Sequence, residues 1–374
     1  MKQRLFALIT ALCMAATALP AVFADGGESG ELTIGTSAQE QCSCVALCTE
    51  GNINPDCPVC SLDPSACEGT PLRPMLFGAP RAGVTYLDEN GVQQTATNAI
   101  QVAKSDTQWD GGWYVAQGDI TIGSQDTPQR VAVSGEVHLI LADGCNLTVN
   151  GGIEVEDPNS LTIYAQSTGS SMGTLIVQNV DAYNAGIGGG GTIIINGGEV
   201  DATGGWYGAG IGGGFKNGGG EITISGGKVD ANGGSWGAAG IGGGYGGGGG
   251  EITIEGGEVT ATGGRWGAGI GGGDSGAGGT ITIKGGEVDT TGGGGAAGIG
   301  GGYNGGGGEI TISHGKVTAT GGDYGAGIGG GSGGGGNITI EGGEVTATGG
   351  INAAGIGGGA ACGCSGSFSP STGG

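Results

Sequence analysis

The sequence predicts an all-β fold, a right-handed parallel β-helix with three strands in each coil of about 29 residues. The first observation is a recurring Gly-Ile-Gly-Gly-Gly element, whose isoleucine falls at Ile187, Ile211, Ile241, Ile270, Ile299, Ile328 and Ile356. After a shorter first step, the intervals are 30, 29, 29, 29 and 28 residues. The second is that apolar residues alternate with polar ones inside each unit. The third is that glycine, 100 of 374 residues, bounds every apolar run and supplies tight turns.

Each unit contains three short runs with the periodicity of a strand. In one unit the apolar pairs are Ile252 with Ile254, Val259 with Ala261, and Ala268 with Ile270. Side chains two residues apart point to the same face of a strand, so we expect these six to face inward and the intervening threonines to face outward. Equivalent residues of successive coils would then stack about 4.8 Å apart. The glycine tracts 246–250 and 305–308 are expected to bulge as loops.

The first 24 residues have the features of a secretory signal. Lys2 and Arg4 precede an apolar stretch that ends near Leu19, and Ala24 supplies the small residue at the cleavage point. The apolar stretch is too short for a membrane anchor, and no other segment is long and apolar enough to span a bilayer. We therefore expect a secreted or cell-surface protein that does not span the membrane.

The net charge of −23 argues against two classes of partner. Acidic residues outnumber basic residues 15 to 5 within residues 181–359. This field repels nucleic acid and anionic membranes and favours solubility. Nucleic-acid binding is therefore rejected.

A polar leader, residues 25–41, precedes a cysteine-rich segment, residues 42–70. In an exported chain, an even set of closely spaced cysteines favours disulfides, with a pairing that the sequence does not resolve: Cys42, Cys44, Cys48, Cys57, Cys60 and Cys67. The alternative is a metal site built on Cys57 and Cys60, for which Cys42 and Cys44 have the wrong spacing as a second pair. A proline-rich linker follows at residues 71–81.

Residues 82–180 have an ordinary composition and irregularly spaced strand runs. The segment around Asn90 and Gly91 predicts a hairpin turn. We interpret the region as an N-terminal cap with degenerate coils, because the end of a solenoid must be covered. We expect the regular repeats to fill residues 181–359 and residues 360–374 to form a flexible tail.

Several motifs resemble those of one protein family. Tyr86-Leu-Asp-Glu-Asn-Gly91, Ser160-Leu-Thr-Ile-Tyr164 and the Gly-Ala-Gly-Ile-Gly-Gly-Gly repeats are similar to secreted glycine-rich proteins on the surfaces of Gram-positive gut bacteria. Members of this family are often described as hypothetical or carbohydrate-binding-like β-helix proteins. The resemblance implies a surface location and a β-helix, and it brings no catalytic residue and no cofactor.

The candidate binding residues are aromatic. They follow the Gly-Gly pair that ends the second strand of each unit, and in a regular β-helix they would stack along one corner: Trp206, Tyr207, Trp236, Trp266 and Tyr324. Gly295 and Asn352 interrupt this line, and a second line contains Phe215, Tyr245 and Tyr303. Sugar rings pack their apolar faces on aromatic rings, which suggests a glycan site. The alternative is that both lines only cover glycine backbone and hold one coil to the next.

The sequence argues against a nucleotide cofactor. Gly208-Ala-Gly-Ile-Gly-Gly213 satisfies the dinucleotide fingerprint by its letters. The chemistry needs a helix N-terminus at this point, and more glycine follows instead. We therefore expect no cofactor, and we assign no residue as a metal ligand.

Catalysis is not expected either. Lys228 and Lys316 share a coil position with several glutamates and are interpreted as an outward charge ladder. His138 and His314 have no evident nucleophile or metal partner. We predict a non-catalytic protein for adhesion or for contact with an extracellular glycan or a host or cell-wall surface. A purely structural spacer is the second hypothesis, and a polysaccharide lyase or hydrolase is the third.

Overall fold

A computed structural model describes residues 83–179 and 181–360 of the protein. Five predicted segments lie outside the described residues: the signal (1–24), the polar leader (25–41), the cysteine-rich segment (42–70), the linker (71–81) and the tail from residue 361 onward. The described residues form β-strands and turns, with no helix among them. No helix that is long and apolar enough to cross a membrane occurs in these two ranges.

Three parallel sheets form the walls of a solenoid, which confirms the predicted parallel β-helix. In each sheet a strand pairs with the equivalent strand of the neighbouring coil, as equally spaced repeats require. Numbered in chain order with the others, the nine strands of sheet A are β5 (Asp119–Ile122), β7 (Asn146–Asn150), β10 (Thr174–Gln178), β12 (Glu199–Thr203), β15 (Lys228–Asn232), β18 (Glu258–Thr262), β21 (Glu287–Thr291), β24 (Lys316–Thr320) and β27 (Glu344–Thr348).

Sheet B has eleven strands and contains the predicted Ile-x-Ile runs. These strands are β3 (Ile100–Gln101), β4 (Gln108–Ala116), β6 (Val131–Leu141), β8 (Ile153–Glu154), β9 (Ser160–Ala165), β11 (Thr192–Ile195), β14 (Glu221–Ile224), β17 (Glu251–Ile254), β20 (Thr280–Ile283), β23 (Glu309–Ile312) and β26 (Asn337–Ile340).

Sheet C has six strands of two residues each. They contain the isoleucine of the recurring element: β13 (Ile211–Gly212), β16 (Ile241–Gly242), β19 (Ile270–Gly271), β22 (Ile299–Gly300), β25 (Ile328–Gly329) and β28 (Ile356–Gly357). Isolated bridges at Ile187 extend this line toward the N-terminus.

The core is a stack of aliphatic ladders. Ile252 and Ile254 of sheet B pair with Ile281 and Ile283 of the next coil, and all four side chains are fully buried. The corresponding ladders of sheets A and C are equally buried up to the last coil, in which Ile340 is 40% and Ile356 47% exposed. The six side chains that were predicted to face inward in the coil 251–273 do so. Because each ladder continues into the next coil, apolar burial is repeated from coil to coil until the last described coil, which has no further described coil packed on it.

Glycines pack coil against coil at the corners. A Cβ added to Gly249 would lie 1.9 Å from the carbonyl oxygen of Gly278, its counterpart in the next coil. The backbone nitrogen of Gly249 donates to the carbonyl oxygen of Ala277 at 2.9 Å. The prediction that tracts 246–250 and 305–308 bulge as loops is therefore wrong. These tracts are packed corners in which backbone contacts backbone, and only glycine leaves room for that contact.

The N-terminal hairpin lies against the outer face of sheet B. Strands β1 (Val84–Leu87) and β2 (Gln93–Ala96) pair antiparallel, as the Asn90-Gly91 pattern predicts. The ring of Tyr86 contacts Trp113 and Tyr164, with centroids 4.7 Å away in both cases. The hairpin thus covers the flank of the first coils. Large side chains fill the interior of the first coils. Among them, Trp109 and Tyr114 are fully buried.

His138 lies in this aromatic cluster and predicts a pH dependence of stability. Its ring stacks on Trp113 at 4.4 Å, and burial lowers its pKa below the usual 6.5 although Glu136 opposes the shift. The folded state therefore favours the neutral ring. The free energy of unfolding should fall as the pH drops through 6.5 toward the lowered value. In a His138→Gln variant, urea unfolding should no longer show this decrease in the free energy of unfolding. An equal pH dependence in variant and parent would mean that His138 is not the group responsible.

Candidate functional site

The corner between sheets A and C carries the predicted aromatic residues. From β12 onward each strand of sheet A ends before a Gly-Gly pair, and after β12, β15, β18 and β24 an aromatic residue follows that pair by one or two positions. The second glycine of the pair is required by close packing, since a Cβ at Gly264 would lie 1.8 Å from the carbonyl oxygen of Gly234. The chain therefore turns at the same point in each coil. The side chains that follow the Gly-Gly pair are directed outward, in register with those of the neighbouring coils.

Backbone hydrogen bonds join the two predicted aromatic lines. The nitrogen of Phe215 donates to the carbonyl oxygen of Tyr183 at 2.7 Å, and that of Tyr245 donates to Tyr207 at 2.8 Å. Tyr303 and Trp266 are joined in the same way at 2.9 Å. Each residue of the second line thus lies beside the first-line residue of the preceding coil. The lines form one surface, although the sequence analysis treated them as separate.

We call this surface the aromatic stripe and define it by the rings that contact one another: Tyr183, Tyr207, Phe215, Trp236, Tyr245, Trp266 and Tyr303. Neighbouring ring centroids lie 5.4 to 6.4 Å apart. Interplanar angles range from 13° for Tyr183 on Tyr207 to 87° for Tyr207 on Tyr245. The rings therefore combine stacked and edge-to-face contacts, both of which aromatic pairs favour.

Exposure differs along the corner. Tyr183 is 57% exposed, Trp206 60%, Trp236 44% and Tyr324 37%. Tyr207 and Trp266 are half-buried. Of the five predicted binding residues, the structure thus places Tyr207, Trp236 and Trp266 in the stripe. Trp206 lies beside Tyr207, and Tyr324 lies one coil beyond Gly295.

The stripe continues across the coil in which the first line lacks an aromatic residue. Gly295 occupies the first-line position there, and a Cβ added to it would lie 2.4 Å from the ring of Tyr303. The ring of Tyr303 therefore covers the space that a larger residue would need. Trp266 contacts Tyr303 with a centroid distance of 6.4 Å. Continuous ring contact consequently spans five coils, from the coil of Ile187 to that of Ile299.

Sequence reasoning missed Tyr183 at the start of the stripe. Tyr183 lies four residues before Ile187, the same interval that separates Tyr207 from Ile211. No Gly-Gly pair precedes this coil, so the Gly-Gly pattern does not mark Tyr183. Counting back from the recurring isoleucine would have found it.

Asp274 is the second residue that was missed. It takes the second-line position between Tyr245 and Tyr303 and is only 8% exposed. Its backbone nitrogen donates to Gly237 at 2.6 Å, and its carboxylate accepts hydrogen bonds from Ser275 and Tyr245. Burial raises the pKa of Asp274, and its negative charge raises the pKa of Tyr245. The stripe therefore contains a carboxylate that is hydrogen-bonded and mostly withdrawn from water.

Two cations lie on the rings. The guanidinium carbon of Arg265 is 4.6 Å from the centroid of Trp266, and the Lys216 ammonium is 5.1 Å from that of Phe215. Both distances are in the range of cation–π contacts. These side chains shield one face of each ring.

The charge ladder that the sequence predicted is present on sheet A. Lys228 pairs with Glu199 at 3.4 Å and Lys316 pairs with Glu287, each one coil away. Lys284 makes a similar pair with Glu255 at the neighbouring turn, with 3.0 Å between the atoms. All three pairs are exposed, and such pairs stabilise a fold by less than about 1 kcal/mol. Each of these lysines therefore has a carboxylate partner in an ordinary surface ion pair.

The described residues offer no metal cluster. No group of three or more histidine, cysteine, aspartate or glutamate side chains in 83–179 and 181–360 could hold an ion. Cys145 is a buried free thiol, and burial raises its pKa to about 11. A thiol in that state is a poor nucleophile at neutral pH. The six cysteines of the predicted disulfide segment lie outside the described residues.

Six consecutive segments match a family described as Beta helix repeat, at residues 193–215, 222–245, 252–274, 281–303, 310–332 and 338–360. Each segment runs from the first inward isoleucine of sheet B through sheets A and C to the second aromatic line. The matched segments coincide with the coils of the regular repeats, and the sheet topology shows that these coils form a parallel β-solenoid. No curated protein and no solved structure gives a significant match.

Proposed function

We propose that this β-helix repeat protein is secreted to the cell surface, where it binds glycans through the aromatic stripe without catalysis. The observation that carries the proposal is the continuity of the stripe over five coils with exposed rings such as Tyr183 and Trp236. Large contiguous aromatic surfaces are uncommon on proteins that have no partner. The apolar C–H faces of sugar rings match such a surface.

A polar column runs along the edge of sheet A that leads to the stripe. It consists of the last residue of each regular strand, in register from coil to coil: Thr203, Asn232, Thr262, Thr291, Thr320 and Thr348. Hydroxyl and amide groups both donate and accept hydrogen bonds. Sugar hydroxyls need such partners when their rings pack on aromatic residues. The column therefore supplements the stripe with directional contacts.

The non-catalytic part of the proposal rests on the surroundings of the titratable groups. His138 is stacked on Trp113 under the hairpin, and its other neighbours are Glu136 and Tyr164. The exposed lysines of sheet A are paired with glutamates. A lyase or hydrolase needs an acid and a base that face one open site. The secretion part rests on the signal features of residues 1–24.

A structural spacer is the second candidate, and the ring contacts favour it. All but one of the ring contacts along the stripe join different coils, for example Trp236 to Trp266 at 6.4 Å; the exception is Tyr207 to Phe215. Such pairs contribute about 0.5–1.5 kcal/mol beyond their buried area. On this hypothesis the stripe holds coils together and has no ligand. The two functions predict opposite results for removal of an exposed ring.

Replacing Trp236 with alanine separates the two functions. Trp236 is 44% exposed, so its removal forfeits only part of its packing, and we expect the melting temperature to fall by a few degrees. Glycan binding should weaken about tenfold or more, as expected for loss of a central aromatic contact. The measurement is a titration of the mature protein with mucin and plant glycans, paired with thermal unfolding. Trp266→Ala should weaken binding as well, with a larger loss of stability because Trp266 is half-buried.

Trp236→Phe is the matched control, because it keeps an aromatic ring at the same place. This variant should retain most of the affinity of the parent. Unchanged binding by a folded Trp236→Ala protein would contradict the glycan site. If the Trp236→Ala variant is much less stable than the parent and the parent binds no glycan, the spacer function is favoured.

A further inference from the structure

The spacing of the stripe specifies the shape of its ligand. The stripe has at least one ring in each of five consecutive coils, and the coils are fixed at the spacing of hydrogen-bonded parallel strands, about 4.8 Å. Tyr183, Tyr207 and Trp236 follow one another along the solenoid axis at centroid distances of 5.6 and 6.4 Å. Hydrogen bonds between paired strands hold the spacing between coils constant. The rings therefore cannot move along the axis to match a ligand with a different repeat distance. A ligand that contacts every coil must itself repeat at nearly this interval along a straight line.

An extended chain of pyranose sugars has such a repeat. In a β-1,4-linked chain each ring advances the chain by close to one strand spacing, and successive rings present apolar faces. A coiled or branched glycan would leave the line after one or two sugars. The length of the stripe sets the number of sites: continuous ring contact covers five coils, from Tyr183 to Tyr303.

Charge selects among extended polysaccharides. The regular repeats carry 15 acidic and 5 basic residues, and the carboxylate of Asp274 lies within the stripe. The two nearby cations, Lys216 and Arg265, already lie over Phe215 and Trp266. A polyanion laid along the stripe would meet this acidic field with little compensation. An uncharged chain avoids that cost.

We propose, building on the glycan-binding function above, that the aromatic stripe binds a neutral, extended, β-linked polysaccharide parallel to the solenoid axis, with one sugar ring per coil. The stripe then has five consecutive subsites. Tyr183 forms one terminal subsite, and Trp236 forms the middle one. The polar column of sheet A, which includes Thr262, runs parallel to the bound chain.

The test is calorimetric titration of the full mature chain with β-1,4-linked glucose oligosaccharides of increasing length. Affinity should rise by about fivefold per added sugar and level off at five sugars, one for each coil of the stripe. The charge-matched control is the β-1,4-linked glucuronic acid oligosaccharide of the same length, which differs by its carboxylates. It should bind at least about tenfold more weakly at low salt, and added salt should narrow the gap.

Two single variants test the direction of the bound chain. Tyr183→Ala removes the terminal subsite, so affinity for the five-sugar ligand should fall to that of the four-sugar ligand. Trp236→Ala removes the middle contact, so affinity for the same ligand should fall about tenfold or more, but affinity should still level off at five sugars because the ligand reaches both ends of the stripe. Levelling off at five sugars in the Tyr183→Ala variant would contradict an axial chain. Thermal unfolding of both variants shows whether each remains folded under the titration conditions.

The outcomes separate this inference from the proposed function. If affinity levels off at two sugars, the axial arrangement is wrong and the glycan site stands. If the glucuronic acid ligand binds as well as the neutral one, the assignment to neutral chains is wrong. If a folded parent binds no glycan of any kind, the proposed function fails and this inference fails with it.

Discussion

A Gly249→Ala variant should lose roughly 3 kcal/mol or more of its free energy of unfolding in urea denaturation. The added methyl carbon would lie 1.9 Å from the carbonyl oxygen of Gly278 and 3.0 Å from the carbonyl carbon of Gly271. Both contacts are with backbone, which cannot rotate away. The clash can be relieved only if neighbouring coils separate, and this would break strand pairing on all three walls.

The adjacent residue supplies the control. A Cβ at Gly248 would lie 3.5 Å from the carbonyl oxygen of Ala277, an ordinary contact distance. Gly248→Ala should therefore change the free energy of unfolding by less than about 0.5 kcal/mol. Equal losses for the two variants would mean that the corners are not packed coil against coil. Such a result would point to a general cost of replacing glycine in this chain.

An Ile254→Ala variant should lose about 3 kcal/mol of the free energy of unfolding. Ile254 is fully buried between Ile224 and Ile283, its partners in the two neighbouring coils. Removing its side chain leaves a cavity in the ladder that the stiff sheets cannot close. Part of the loss is the transfer of apolar atoms, and the rest is the cavity itself.

Thr253→Ala is the matched control in the same strand. Thr253 pairs with Thr223 and Thr282 on the outer face, and it is half-buried. Its replacement should cost less than about 0.5 kcal/mol. Losses of similar size at the two positions would contradict the assignment of Ile254 to the interior. The same urea unfolding experiment measures both variants.

Much of the fold could be predicted because each coil repeats a simple pattern. Ile252 and Ile254 are two residues apart and recur at a constant interval, and these two facts specify a strand and its partner. The charge ladder of Lys228 and Lys316 followed from the same register. A pattern that holds in every coil leaves few alternative pairings.

The corners could not be predicted, because close contact of one backbone with another has no distinctive side-chain pattern. Gly248 and Gly249 look alike in the sequence, and only the position of the next coil distinguishes them. The packing of the hairpin on the flank of the solenoid could not be predicted from the sequence either. It depends on the contacts of Tyr86 with Trp113 and Tyr164, which are far apart in sequence.

The candidate site was predicted in part. The positions of Trp236 and Trp266 on one corner followed from the repeat. The merging of the two aromatic lines depends on hydrogen bonds between different coils, such as that from Tyr245 to Tyr207. Asp274 was missed because one acidic residue in a line of rings resembles an interruption. Its burial and its bond to Tyr245 make it part of the surface.

A glycan array probed with the purified mature protein tests the central claim most directly. The claim is that register between coils gathers separate aromatic residues into a ligand-binding surface. We predict that the parent binds uncharged, β-linked glycans and that a folded Trp236→Ala protein binds the same glycans about tenfold or more weakly. A folded parent that binds no glycan on the array would contradict the account.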